Sequence, residues 1–216
     1  MQKSFNLIPL LFLLVFTVSS HAQSVGPKVG INIASWAGDD QFDDDFFTSN
    51  TVFQFGAVAE LPLTDQLSLQ PELLFFQKGF GTETSFLGVT STTDNRLNYL
   101  EIPVLGKFFL TDGPTQIFVT AGPSFGFGLG GKAIRESGGD TEEVDIDFEE
   151  DELSVLDLSL SIGAGAQAEV GPGKVFVDIR YLMGLTNVDD APENEQIDIF
   201  NRGIGIAAGF LFPIGQ

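Results

Sequence analysis

The chain has 216 residues, with 30 acidic against 10 basic side chains, a net charge of −20, no cysteine and one histidine. Such a charge balance repels nucleic acid and anionic lipid headgroups. The missing cysteine excludes a thiolate nucleophile and disulfide staples. If His21 leaves with an N-terminal leader, a Ser-His-Asp triad and a Cys/His zinc site are excluded as well.

That leader is expected over residues 1–22. Lys3 supplies the positive start, residues 7–18 the apolar core, and Ser20-His21-Ala22 a small-x-small cleavage site. Cleavage after Ala22 leaves a single domain over 23–216. The apolar run is shorter than the roughly 18 residues a membrane helix needs. No later run comes closer, because charges, glycine or proline interrupt each one. A mature chain of this kind enters a membrane only as a closed barrel, in which the strands satisfy one another's backbone groups.

Eight segments alternate apolar and polar residues with period two, the pattern of a strand with two unlike faces. Segment 28–36 sets Val29, Ile31 and Ile33 against Lys28, Gly30 and Asn32. Segment 52–61 sets Phe53, Phe55 and Leu61 against Gln54, Gly56 and Glu60. In 67–78, Leu67, Leu69, Leu73 and Phe75 oppose Ser68, Gln70, Glu72 and Lys78, and Pro71 suggests a bulge or bend. In 97–108, Leu100, Ile102, Val104 and Phe108 oppose Tyr99, Glu101 and Lys107. In 116–129, Ile117, Val119, Phe125 and Phe127 oppose Thr120, Gly122, Ser124 and Gly126. Segment 156–170 alternates without a break: every even position is apolar, and every odd one is polar or glycine. Segment 175–185 sets Val177, Ile179 and Tyr181 against Asp178 and Arg180. Segment 203–214 closes the series with Ile204, Ile206 and Phe210 against Gly203, Gly205 and Gly209.

The connections alternate strictly in length. Those at 62–66, 111–115 and 171–173 are tight, and those at 37–50, 79–95, 130–154 and 186–198 are long. This is the arrangement of an up-and-down transmembrane barrel with short periplasmic turns and long outer loops. The fold expected is all-β, an eight-stranded antiparallel barrel in the outer membrane of a Gram-negative cell.

Alternation alone does not say which face points inward, since a soluble lipocalin-like barrel alternates too. Volume and glycine decide. The interior of a barrel of about eight strands holds side chains or one small ligand, too little for every Leu, Ile, Val and Phe on the apolar faces. Glycine on a solvated strand face weakens the strand, whereas on a crowded inner wall it makes room. The apolar face therefore meets lipid, with Trp36, Phe53, Tyr181 and Phe212 as aromatic-belt residues. A charge at Leu160, near mid-membrane, should cost about 2–4 kcal/mol.

The polar face places Lys28, Lys78, Lys107 and Arg180 beside Glu60, Glu72, Glu101, Asp157, Glu169 and Asp178. These residues suit either a charged channel with acid–base groups or a plug of paired charges. The narrow bore favours the plug, with Arg180 expected to pair with Asp157 or Glu169 on the preceding strand. No catalytic constellation, cofactor motif or metal motif stands out. The long loops hold 22 of the 30 acids against Lys132 and Arg135 alone. Oxygen-only clusters suit Ca²⁺, but EF-hand spacing is missing and carboxylate runs are usually solvated.

Several segments resemble the PorT-like outer-membrane β-barrel proteins of Bacteroidetes-type bacteria. They are GPKVGIN (26–32), LSLQPELLFFQKG (67–79), LNYLEIPVLGKF (97–108), TAGPSFGF (120–127), IRYLMGLTNV (179–188) and IGIAAGFLF (204–212). The resemblance implies a small barrel of the OmpX type and a link to secretion or maturation of surface proteins, and it supplies no catalytic residues. The chain departs from the usual aromatic ending, since Gln216 is last. The function expected is structural or interactive, through acidic outer loops, in a monomer without catalysis. A protein partner at the loops and the surrounding lipid are the partners implied. A narrow solute pore is the less favoured reading.

Overall fold

The computed structural model describes residues 23–38, 48–86, 89–192 and 196–214. The expected leader at 1–22, the aspartates at 39–45, Glu193, Glu195 and the terminal Gln216 lie outside the described residues.

Among the described residues all regular structure is strand. The strands are β1 (Gln23–Gly38), β2 (Asn50–Pro62), β3 (Leu67–Phe86), β4 (Val89–Phe109), β5 (Thr115–Ser137), β6 (Asp140–Ile146), β7 (Leu156–Val170), β8 (Gly173–Gly184) and β9 (Ile199–Ile214). Eight of them close a ring in the order β1-β2-β3-β4-β5-β7-β8-β9, each antiparallel to its neighbours, with β9 returning to β1. The ninth strand, β6, pairs with β5 alone.

The two faces sort as alternation requires. Outward Val29 is 63% exposed and Ile162 54%, whereas inward Lys78 is 1% exposed and Glu101 0%. A soluble barrel shows the reverse, because water, not lipid, then covers the outer wall. Both ends of the described chain lie together, with Gln23 opposite Ile214, at the same rim as the tight turns.

Pro71 does not produce a bulge. Its strand keeps one register with both neighbours across that position, and the proline sits on the outward face. The register shift that does occur lies in the β4–β5 pairing, where Asn98 opposes Gly130 but Tyr99 opposes Gly128. Leu129 is the extra residue, and Gly130 supplies the left-handed φ of 109° that the bulge requires. One inserted residue reverses parity, so Ala133 beyond it faces inward and is buried.

Two of the long connections are largely strand. The β3–β4 ladder runs from Leu67↔Phe108 out to Phe86↔Val89, so 79–95 is the outer half of a long hairpin. The stretch 130–154 contains the end of β5, the Gly138-Gly139 turn and β6. The loops are also joined to one another. Thr48 bridges Gly81, and Leu153 bridges Asp189. The Ser154 N–H donates to Val188 O at 2.8 Å, and the Asp190 N–H to Glu152 O at 2.9 Å.

Candidate functional site: a charge-filled lumen under an outer cap

Inward positions at similar heights on different strands meet across the bore, and they form three layers. Nearest the tight turns, Lys107 Nζ lies 2.7 Å from Glu60 Oε2, donates to Gln167 Oε1 and sits 4.0 Å above the Phe118 ring. Glu60 also takes Lys174 at 3.2 Å. In the middle, Glu72 receives Arg180 at 2.8 Å and Lys28 at 3.2 Å, while Asp178 receives the same two cations at 3.0 and 3.2 Å. Gln70 donates a further bond to Glu72 at 2.6 Å. In the outer layer Lys78 bridges Asp157 at 2.7 Å and Glu101 at 2.8 Å. Asp157 also accepts from Asn201 at 2.9 Å and Thr186 at 3.1 Å, and Ser124 donates to Glu101.

The five cations Lys28, Lys78, Lys107, Lys174 and Arg180 thus meet the five acids Glu60, Glu72, Glu101, Asp157 and Asp178. The lumen is formally neutral, although the chain carries −20. Buried ions are tolerated when each one is paired and hydrogen-bonded, and this stoichiometry meets that requirement. Inner-wall glycines give the long side chains room. A Cβ on Gly163 would lie 2.6 Å from Arg180 Cγ, and one on Gly165 would lie 2.5 Å from the Phe118 ring.

Two expected contacts are not made. Arg180 reaches neither Asp157 nor Glu169. The register sets it opposite Gly163, so its guanidinium spans the bore to Glu72 on β3, and Asp157 is held by Lys78 instead. Glu169 is exposed. It has inward parity but sits one residue from the end of β7, beside the Gly171-Pro172-Gly173 turn, where the bore opens to water. Lys174, Gln70, Gln167 and Asn201 also belong to the layers; Gln70 and Gln167 have the polar-face parity read from the sequence, but none of the four is among the charged candidates named there. Lys174 precedes the alternating run of its strand, and neutral amides carry no charge signal.

Above the outer layer the bore is closed by Phe148, from the connection between β6 and β7. Phe148 is 5% exposed and packs with Leu97, Tyr99, Val188 and Ile199. Its ring meets Tyr99 edge-on at 5.4 Å. Gly128 admits it, since a Cβ there would lie 2.5 Å from the ring. Trp36 is part of this cap and not of a lipid-facing belt. It stacks on Phe80 with centroids 3.8 Å apart and donates to Asn201 Oδ1 at 3.0 Å. Phe53, Tyr181 and Phe212 do face outward. The void beside Arg180, Gln54 and Ser124 measures about 20 Å³, room for one water.

Some of the outer acids build turns. Asp147 Oδ1 accepts from the N–H groups of Glu149 and Glu150, and Asp189 accepts from those of Ala191 and Ile197. Among the described residues no group of three or more acidic, histidine or cysteine side chains is placed to hold a metal ion.

Residues 19–190 match the sequence profile described as the outer membrane protein beta-barrel domain. The chain belongs to this outer-membrane barrel family. Its place is the outer membrane of a Gram-negative cell, with lipid against the apolar wall. Ail, the attachment invasion locus protein of Yersinia pestis, is similar at 16% identity and a TM-score of 0.43 over 89% of this chain and 100% of that one. Neisserial surface protein A is similar at 15% identity and 0.45, over 89% and 99%. OprG of Pseudomonas aeruginosa is similar at 10% identity and 0.46, over 90% and 97%. No curated protein matches the sequence.

Proposed function

We propose that this family member is a sealed, non-catalytic monomeric barrel, exported by a leader cleaved after Ala22, that holds an acidic surface above the membrane for a protein partner. The observation that carries this reading is the filled bore. Lys78, Lys107, Glu60, Glu101 and Phe118 are all almost fully buried, and Phe148 covers the outer mouth. A bore packed in this way leaves no aqueous path for a solute. What projects from it is an ordered outer structure, the extended β3–β4 hairpin and the β5–β6 hairpin, with linked loops and a large excess of acids. The segments that resemble PorT-like barrels support a more specific version, in which the partner is a surface protein in the course of secretion or maturation.

Planar-bilayer recording tests the sealed bore. The expected result is no stable single-channel conductance, and steady unitary currents would overturn it. A pull-down from native outer membranes tests the surface role, with the wild-type barrel compared with one lacking residues 138–147. Proteins captured equally by both would place the interaction elsewhere.

A further inference from the structure

β6 stands outside the ring and, among the described residues, is hydrogen-bonded along one edge only. Its hairpin with β5 turns through two residues, Gly138 at φ 60° and Gly139 at φ 97°, the pattern of a type I′ turn. In such a hairpin the flanking pair Ser137↔Asp140 is the hydrogen-bonded one, and bonded pairs then alternate along the ladder. Asp140, Glu142 and Val144 therefore spend their backbone groups on β5. Thr141, Glu143 and Asp145 direct theirs away. None of these three makes another backbone hydrogen bond among the described residues, and six of the strand's seven residues are exposed.

We propose that the free edge of β6 is a docking strand for an extended segment of another protein that carries Lys or Arg at alternating positions. The proposal rests on the surface role above and names the chemistry of the partner. Backbone pairing along an open edge supplies affinity without demanding a sequence, and side-chain spacing supplies specificity. Glu143 and Asp145 are two residues apart and so share one face; Glu143 there takes Lys132 of β5 at 3.0 Å, an exposed pair of the kind that contributes little and exchanges readily. A strand laid against them, parallel or antiparallel, presents its own i and i+2 side chains to that face. The complement of two carboxylates at that spacing is a basic residue at every second position. A second copy of this chain does not fit, because two β6 edges would set acid against acid, the device by which natural edges avoid pairing with themselves.

The test uses the mature barrel in nanodiscs of zwitterionic lipid. The probe is a ten-residue peptide with Lys alternating with Thr and Val, compared with the same peptide N-methylated at the amides of one edge. The parent peptide should bind and protect the Thr141, Glu143 and Asp145 amides from hydrogen exchange. The methylated peptide has equal charge and should bind at least about tenfold more weakly. Thr141→Pro removes one outward N–H and no charge, at an edge position that proline tolerates, and should weaken the parent peptide to a similar degree. Continued protection of Glu142 and Val144 would show that the hairpin persists in that variant. Absence of binding, or equal binding of both peptides, would overturn the proposal. A native partner still captured by Thr141→Pro would leave the surface role standing and remove the edge from it.

Discussion

Glu72 holds more of the middle layer than any other acid, since it accepts from Arg180, Lys28 and Gln70 at 2.8, 3.2 and 2.6 Å. Glu72→Leu would leave two buried cations sharing Asp178. Removing one partner of a buried network costs about 3–5 kcal/mol, because the remaining charge is uncompensated. Urea unfolding in detergent should show a loss of that size. Ser68→Ala on the same face is the control. Its hydroxyl is buried without a hydrogen-bond partner among the described residues, so its removal should stay within about 0.5 kcal/mol. The sequence made the face of the charged residues within its alternating runs legible, because parity sets it there. The partners were not legible. Which inward side chains meet depends on the stagger between strands and on the width of the bore, and alternation encodes neither. Arg180 meets β3 across the lumen for that reason, and Glu169, correct in parity, is lost to the network by its height.

At the scale of elements, the eight ring strands were readable from periodicity and turn residues. The outer structure was not. Polar runs such as VTSTTD and DTEEVDI lack apolar alternation; the first forms strand because it continues the β3–β4 ladder begun in the barrel wall, and the second because the Gly138-Gly139 turn folds it back on the outer extension of β5. The two adjacent glycines at 138–139 were the available signal, a two-residue hairpin turn between two pairable runs. Phe148 gave no signal, a lone aromatic in an acidic stretch whose burial is decided by the space above Tyr99. Its role is testable. Phe148→Ala removes a buried aromatic side chain, a change that costs about 3–5 kcal/mol in a core. Because it anchors only the cap, the cost should appear as faster hydrogen exchange over residues 147–154. The barrel strands should keep their protection, and equal loosening of β7 would mean that the cap is part of the wall's stability.

For the whole molecule, the order of materials is reversed relative to a soluble domain: lipid and backbone ladders hold the outside, and ions fill the inside. The closed ring leaves no edge within the membrane-spanning part, so backbone pairing, the strongest constraint in lipid, is complete without the lumen. The lumen then has to be filled and neutral, but its filling need not be ionic. Replacing a whole buried ion network by apolar groups of similar volume is often neutral or stabilising, whereas removing one member is not. The middle layer can be exchanged as a unit by Lys28→Met, Glu72→Leu, Asp178→Leu and Arg180→Met. This fourfold variant should unfold in urea nearer to the wild type than Glu72→Leu alone does, and it should still record no conductance. If instead the fourfold variant were the less stable of the two, with losses that add site by site, the ion pairs themselves would be holding the ring closed. Barrel closure would then rest on electrostatics across the bore and not on the eight backbone ladders.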